Sequence, residues 1–387
     1  MRITVLLGGT SSERDVSLAS GLRIIDALRQ RGHHVSAVDP ASGVIDRAAE
    51  GALRGRRVNT APPSLDELAR LGKGGGFSTG LAELPEVRGA DVVFLALHGG
   101  YGEDGTVQAL LDLAGVRYTG SGHLASALAM DKDLTKTVLR AAGVATADWA
   151  MVRDGVGVSL VTSAAAAATA GVGAGAPPQQ QYAAGGAEGR YQTSAGGSAS
   201  ARGGELGGFL DEVQSRLGLP LIVKPSKQGS TVGLSLVKDG GRLAAAVAEA
   251  QRYDDEVMIE CFVPGRELTV GVLGGEPLPV GEIFPKHEIY DYECKYTAGM
   301  AREEFPAQLT GAQTRRVQEQ AVQAFHALKL RGCARIDFRL TPEGEFFCLE
   351  ANTLPGMTEL SLIPQGAAVA GMEFGALCER IVELARV

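Results

Sequence analysis

Two short segments between Cys333 and Asn352 constrain the fold most tightly. From Cys333 to Leu340 the residues alternate: Arg335, Asp337 and Arg339 fall on one face, Ile336, Phe338 and Leu340 on the other. Thr341-Pro342-Glu343-Gly344 then has the residues of a type I turn, with Pro second and Gly fourth. A return strand follows, on which Phe347, Leu349 and Ala351 continue the apolar face and Glu350 and Asn352 the polar one. If Leu340 pairs with Glu345, Glu350 lies opposite Arg335 and diagonal to Asp337, with Cβ atoms about 7 Å apart. Two carboxylates and an amide converging there offer an all-oxygen site for Mg2+, completed by substrate phosphates. The same face also reads as solvated strand surface whose charges pair with Arg335 and Arg339.

The 387-residue chain as a whole narrows the class. It is 45% hydrophobic and 21% charged, ordinary values for a globular protein of two or three domains. A net charge of −8 and a pI near 5.4 argue against a general nucleic-acid binder. The five cysteines are scattered and form no CxxC pair, so neither a disulfide framework nor a zinc site is expected, and a reducing cytoplasm fits. The apolar stretch at Met1 to Leu7 is too short for a signal peptide, and no apolar run is long enough to span a membrane.

The first third alternates strand and helix patterns. Ile3 to Leu7, Val35 to Val38 and Val92 to Leu97 read as strands, and Glu13 to about Arg31 as a helix. This is the βαβ pattern of an open parallel sheet, whose chemistry sits at the carboxyl ends of the strands. Two polar clusters occupy those ends, Gly8 to Ser17 and His98 to Gly105. One helix is expected from Leu124 to Ala142. From about Gly155 to Gly208 the chain is mostly Ala, Gly, Ser, Gln and Thr, which cannot bury enough surface to offset ordering entropy. This stretch reads as a mobile insertion with a transient helix near Ser163 to Ala170, or alternatively as a partner-binding arm. Strands are expected at Leu221 to Lys224, Leu234 to Val237, Val257 to Phe262, Leu268 to Leu273 and Leu278 to Phe284. A loop follows at Tyr290 to Met300, then an amphipathic helix from Thr310 to Leu330.

Two further segments suggest phosphate and nucleotide chemistry. Lys224 ends a strand and opens a loop, Pro225 to Gly233, whose small residues let backbone N–H groups approach phosphates. A plain Gly- and Ser-containing hairpin fits as well, and no Walker A sequence is present. The strand Met258 to Phe262 ends in a Pro-Gly turn, where exposed backbone would suit an adenine edge and Glu267 the ribose hydroxyls. An ordinary strand and turn is the alternative.

In chain order these segments resemble the ATP-grasp superfamily, and within it the D-alanine–D-alanine ligases. The resemblance rests on seven signatures: Gly8-Gly9 through Ser11-Ser12-Glu13-Arg14-Asp15-Val16-Ser17; His98-Gly99-x-x-Gly102-Glu103-Asp104-Gly105; Met130-Asp131-Lys132; Val223-Lys224-Pro225 with Gly229-Ser230-x-x-Gly233; Tyr290-Asp291-Tyr292-Glu293-x-Lys295-Tyr296; Arg335-x-Asp337; and Leu349-Glu350-Ala351-Asn352-x-x-Pro355-Gly356-Met357-Thr358. They cover nearly the whole chain except the insertion.

The resemblance implies an α/β ATP-grasp fold with an N-terminal Rossmann-like parallel-sheet domain over residues 1–120. A central ATP-grasp subdomain would cover 121–257, with the insertion at about 155–208, and a C-terminal one 258–387, with a closing ω loop at about 288–300. It implies ATP-dependent ligation of two D-alanines through an acyl phosphate, for peptidoglycan precursors, in a cytoplasmic homodimer. With no protein nucleophile, catalysis would be positioning and charge neutralisation. Lys132, Lys224 and Lys295 would meet the ATP phosphates. Asp337, Glu350 and Asn352 would hold two Mg2+ ions, or Mn2+ in their place. Glu260, Cys261, Phe262, Val263 and Glu267 would bind adenosine. Arg335 and the Gly356 N–H would stabilise the developing oxyanion.

Glu13 would bind the ammonium of the first D-alanine in a hydrogen-bonded set with Ser230 and Tyr296; a helix-stabilising charge is the alternative for Glu13. Ser361 and Leu362 would meet the carboxylate of the second D-alanine, with His98 nearby. The ω loop would exclude water from the acyl phosphate. Two features depart from the pattern. The insertion exceeds what typical relatives carry, and Cys261 stands where many have Lys. Tyr290 to Tyr296 follows the D-alanine pattern; the competing readings are D-lactate as second substrate, a non-catalytic ATP-binding sensor or scaffold, and another ATP-grasp carboxylate–amine ligase.

Overall fold

The structure, a computed structural model, describes residues 1–54, 66–67, 70, 79–162, 199–297 and 299–386, without the side chains of Thr79, 199–204 and Tyr296. The chain divides into two compact units. The larger holds Met1–Ala147, Lys224–Leu234 and Val263–Val387, the smaller Asp148–Val223 and Ser235–Phe262.

The larger unit begins with a four-stranded sheet of β1 (Arg2–Leu6), β2 (His34–Asp39), β3 (Gly43–Ile45) and β4 (Val92–Leu95), ordered β3-β2-β1-β4. β1 runs parallel to both β2 and β4, as the βαβ pattern predicts. β3 was not expected. It folds back antiparallel on β2 because the Asp39 carboxylate accepts from Ala41 N–H and the Ser42 hydroxyl, which tightens the intervening turn. Helix α1 (Arg14–Gln30) buries Leu18, Leu22, Ile24, Ile25 and Leu28, and with Ile3, Val5 and Phe94 they form one apolar core. The expected single helix over Leu124 to Ala142 is two. α5 (His123–Met130) and α6 (Lys132–Ala141) part at Asp131, which has an extended backbone and caps the second helix through Asp133 N–H and Leu134 N–H. Short helices α2 (Arg47–Leu53), α3 (Pro85–Arg88) and α4 (Thr106–Leu113) precede them.

The smaller unit is a sheet of β5 (Trp149–Arg153), β6 (Val156–Val161), β7 (Leu221–Pro225), β8 (Ser235–Val237) and β9 (Glu256–Cys261), ordered β6-β5-β9-β7-β8. Helices α7 (Ala199–Leu217) and α8 (Leu243–Ala250) cover one face, through Leu210, Val213, Leu243 and Val247. Both margins of the expected insertion belong to this framework. β6 pairs with β5, and the Phe209 ring of α7 lies where a side chain on Gly157 would sit. The stretch read as mobile is therefore narrower than 155–208. Residues 163–198, with the transient helix expected there, lie outside the described residues.

The larger unit continues in a second sheet of β10 (Arg266–Leu273), β11 (Glu276–Pro277), β12 (Gly281–Pro285), β13 (Ala301–Glu304), β14 (Cys333–Leu340) and β15 (Phe346–Asn352), with main order β13-β12-β10-β14-β15. Helix α10 (Gly311–Ala327) packs against it and starts at the Thr310 and Gln313 capping box. Helices α11 (Leu362–Val369) and α12 (Phe374–Glu383) follow. The stretch expected as a loop contains helix α9 (Tyr292–Tyr296), capped by the Asp291 carboxylate on Cys294 N–H and backed by His287, before β13 begins.

The hairpin β14–β15 forms where expected, with one correction that decides the site. Leu340 pairs with Phe346 rather than Glu345, and the register shifts by one residue between Asp337 and Phe338. The bulge leaves Leu349 unpaired, so Glu350 faces Asp337 directly and Asn352 faces Arg335. The same slip sets Phe346, Cys348 and Ala351 on the buried face in place of Phe347, Leu349 and Ala351. Ile336, Phe338 and Leu340 are buried as expected, each contributing on the order of 1.5–3 kcal/mol of apolar burial.

Candidate active site

An open cavity in the larger unit is lined by residues from the segments after β1, β4 and β7, from α9, and from β14, β15 and the chain beyond, among them Glu13, His98, Glu103, Ser230, Lys295, Arg335, Asn352, Gly356, Ser361 and Leu362.

At one end stands the hairpin. Asp337 accepts the Thr269 hydroxyl at 2.8 Å from the neighbouring β10, the Asn352 amide at 3.1 Å, and Arg335 through Nε and Nη2 at 2.9–3.1 Å. That pairing holds the Arg335 guanidinium firmly protonated against its burial. Burial alone would push the Glu350 carboxyl up. Lys295, Lys132, Arg335 and Lys224 together overcome it and hold Glu350 down at about 2. The three lysines drawn from α6, β7 and α9 thus act on one carboxylate. Lys132 Nζ donates to Gln228 O at 2.7 Å and to Ser226 O at 3.3 Å, which ties α6 to the loop after β7. Lys295 Nζ stands 5.5 Å over the Tyr290 ring. Asp337, Glu350 and Asn352 supply only oxygen donors to a cation, and Glu350 stays ionised across the neutral range, a donor set that fits Mg2+ or Mn2+.

At the other end stands Glu13. It precedes α1 but caps no helical N–H, so its carboxylate is not a helix cap. The Ser230 hydroxyl donates to Glu13 Oε1. Ser230 and Thr231 both have left-handed backbones, φ 48° and 60°, uncommon for residues with side chains and sustained where the surroundings fix them. A Cβ on Gly229 or on Gly99 would lie 2.7 or 2.8 Å from Glu13 Oε2, so both backbones close around the carboxylate. The Tyr296 side chain, expected to complete this set, lies outside the described residues.

His98 connects the two ends. Its Nδ1 is 2.9 Å from Leu354 O, so that nitrogen carries the proton, and Nε2 accepts from the Ser20 hydroxyl at 3.3 Å. Ser20 Oγ in turn accepts Met357 N–H at 3.1 Å. Burial lowers the imidazole pKa, so His98 is a neutral strut. Ser361 Oγ accepts Thr358 N–H at 2.9 Å, and a Cβ on Gly356 would lie 2.7 Å from it. Leu362 opens α11 and is buried with Tyr290 and Ile283.

Glu267 is half-buried, its pKa raised by desolvation, and pairs with Arg339 at 3.3 Å. Glu260, Cys261 and Phe262 lie at the end of β9 in the smaller unit. There Cys261 N–H donates to Asp148 O and Phe262 N–H to Pro220 O; Val263 follows in the larger unit. Sequence reading missed Thr269, whose strand pairing with Asp337 is nonlocal. It quoted Glu103 within a motif but gave it no role. Glu103 accepts Gly99 N–H at 2.8 Å, and burial together with the nearby Glu13 charge pushes its carboxyl up to about 8.

This geometry accompanies matches to known proteins. Residues 2–121 match the D-ala D-ala ligase N-terminus model, and residues 201–383 the D-ala D-ala ligase C-terminus model. The chain belongs to the D-alanine–D-alanine ligase family. The D-alanine–D-alanine ligase of Syntrophotalea carbinolica is 38% identical over 98% of this chain and 95% of its own length. That of Aquifex aeolicus is 35% identical over 99% and 100%. The crystal structure of the Bacillus anthracis ligase complexed with ATP aligns with a TM-score of 0.66 at 26% identity, covering 99% of this chain and 96% of that one. The Coxiella burnetii ligase aligns at 0.67 and 26%, over 99% and 94%. Members of the D-alanine–D-alanine ligase family are ATP-dependent ligases, and the chain has their ATP-grasp fold. No helix among the described residues is long and apolar enough to cross a membrane.

Proposed function

We propose that the chain joins two D-alanines into D-alanyl-D-alanine at the expense of ATP, releasing ADP and phosphate, for peptidoglycan precursor synthesis. The observation that carries this reading is the polarity of the cavity within a full-length family match. Glu13, held by Ser230, and Arg335 both line it, and Arg335 with three lysines acts on Glu350.

The roles follow from charge. Glu13 receives the ammonium of the first D-alanine, which presents its carboxylate toward the cationic end. Lys132, Lys224 and Lys295 offset the phosphate charge of ATP, whose adenosine lies with Glu260, Cys261, Phe262, Val263 and Glu267. Asp337, Glu350 and Asn352 would hold two Mg2+ ions, with Mn2+ able to replace them; when bound they supply further neutralisation of the phosphates. Attack of the carboxylate on the γ-phosphate gives an acyl phosphate. Arg335 and Gly356 N–H then stabilise the oxyanion as the second amine attacks, with Ser361, Leu362 and His98 beside that subsite. On this reading Tyr296 and the ω loop at about 288–300, as the family resemblance implies, would keep water from the acyl phosphate. The division into 1–120, 121–257 and 258–387, a cytoplasmic location and a homodimer belong to the same reading.

The test is ATP-dependent phosphate release with D-alanine, L-alanine, and D-alanine plus D-lactate, with products identified by mass. Release that requires D-alanine and Mg2+ and yields D-alanyl-D-alanine is expected. An ester product would move the chain to D-lactate ligation, and no release with any pair would remove the ligase reading.

A further inference from the structure

Ligation leaves one proton transfer without an assigned group. The attacking amine arrives as an ammonium and must shed a proton before its nitrogen has a lone pair to offer. Among the ionisable groups on the cavity wall, most are already committed. Glu13 is bound by Ser230 and faces the first ammonium. His98 uses both ring nitrogens, one donating to Leu354 O and one accepting from Ser20. Arg335 and Lys295 are cations, and Tyr290 has its hydroxyl pKa pushed well up by burial. Glu103, which accepts the backbone N–H groups of Gly99 and Leu354, is the remaining carboxylate lining the cavity among the described residues.

We propose that Glu103 is the proton acceptor for the second D-alanine, an inference that rests on the ligase reading. One oxygen of Glu103 is held by Gly99 N–H at 2.8 Å, and the residue sits in the loop after β4 that also carries His98. This fixes the carboxylate in the lining of the cavity that Arg335, Ser361 and Leu362 also line. The nucleophile and the oxyanion donor act on one carbonyl carbon, so the amine and Arg335 share this part of the cavity. The charged and titratable groups facing Glu103 are Glu13 and His98 on its own side and Arg335, Lys295 and Tyr290 across the cavity. Glu13 makes a proton on Glu103 more welcome and Arg335 less so. With burial added, the carboxyl titrates near 8, where a base exchanges protons with an amine at physiological pH.

The step balances. An N–H bond of the ammonium breaks and its proton goes to the Glu103 carboxylate. The freed lone pair forms the C–N bond, and the C–O bond to phosphate breaks. The second ammonium proton leaves with the departing phosphate, and Glu103 returns its own to solvent.

The test is Glu103→Gln, whose amide oxygen still accepts Gly99 N–H. Acyl phosphate is trapped with hydroxylamine, a nucleophile uncharged at neutral pH that needs no base. Expected is a loss of D-alanyl-D-alanine synthesis on the order of 10²-fold, with hydroxamate formation within a few-fold of wild type. The rise of rate toward pH 8 should vanish in Glu103→Gln and return in part in Glu103→Asp. Full ligation with an unchanged pH profile overturns the proposal. So does equal loss of ligation and hydroxamate, which would make Glu103 structural. Wild-type protein that makes no dipeptide at all would instead fail the ligase reading.

Discussion

Glu350 and Glu103 are the same side chain in two regions of one unit, and the structure drives them in opposite directions. At the hairpin end, burial is outweighed by Lys295, Lys132, Arg335 and Lys224, and Glu350 is held at about 2. In the loop after β4, burial acts together with Glu13, and Glu103 rises to about 8. The local amino acid does not decide which carboxylate stays charged; the sign of its neighbours does. Glu350 is thereby suited to a cation and Glu103 to proton exchange.

The largest expected effect comes from removing the charge at the cationic end. Glu350→Gln leaves shape intact but removes the anion that four cations surround. Mg2+-dependent phosphate release should fall by about 10²-fold or more, while the thermal unfolding profile keeps its cooperativity. Near-normal turnover would take Glu350 out of the site and dissolve the contrast. Arg335→Lys comes next. A lysine keeps the positive charge but not the two-nitrogen grip on Asp337, so kcat should fall by about 10²-fold. Recovery by lysine would mean that charge alone suffices there. At the anionic end Gly229→Ala is a steric probe, since its Cβ would lie 2.7 Å from Glu13 Oε2. The apparent KM for D-alanine should rise by about 10-fold, with KM for ATP little changed. A rise in the ATP value instead would assign Glu13 to the wrong end.

Much of this arrangement is legible along the chain, and the exceptions share a cause. The parallel N-terminal sheet follows from apolar runs spaced by a helical pattern, and the hairpin from its alternation and its Pro-Gly turn. The bulge at Leu349 does not follow, because a slip in register depends on which side chains the rest of the unit covers. With Leu340 on Phe346 and no bulge Glu350 would face Ile336; with the bulge it faces Asp337. The break at Asp131 is written locally, as an aspartate two and three residues before the N–H groups it caps. β6 and the start of α7 were hidden by Ala- and Gly-rich composition. Their stability comes from partners elsewhere in the chain, β5 and the contact of Phe209 with Gly157. Glu103 was visible as a motif residue, but its raised pKa depends on Glu13, which lies 90 positions earlier and meets it only after folding.

The smallest expected effect tests that last point on stability rather than rate. Glu103 has a folded pKa above that of an exposed carboxyl, so the folded protein binds the extra proton between about pH 4.5 and pH 8. Below that window Glu103 is neutral folded or unfolded, and Glu103→Gln should be nearly neutral. As pH rises through it, the unfolded chain ionises freely while the folded chain resists, so wild type loses stability that the glutamine variant keeps. The variant should therefore gain on wild type by about 1–3 kcal/mol between pH 5 and pH 9 and level off above pH 8. Thermal unfolding of both proteins across that range measures it. The gain must grow with pH, because a difference that stays flat would mean Glu103 is ionised in the folded state throughout. It would then resemble Glu350, and the two ends of the cavity would not differ in the way their neighbours dictate.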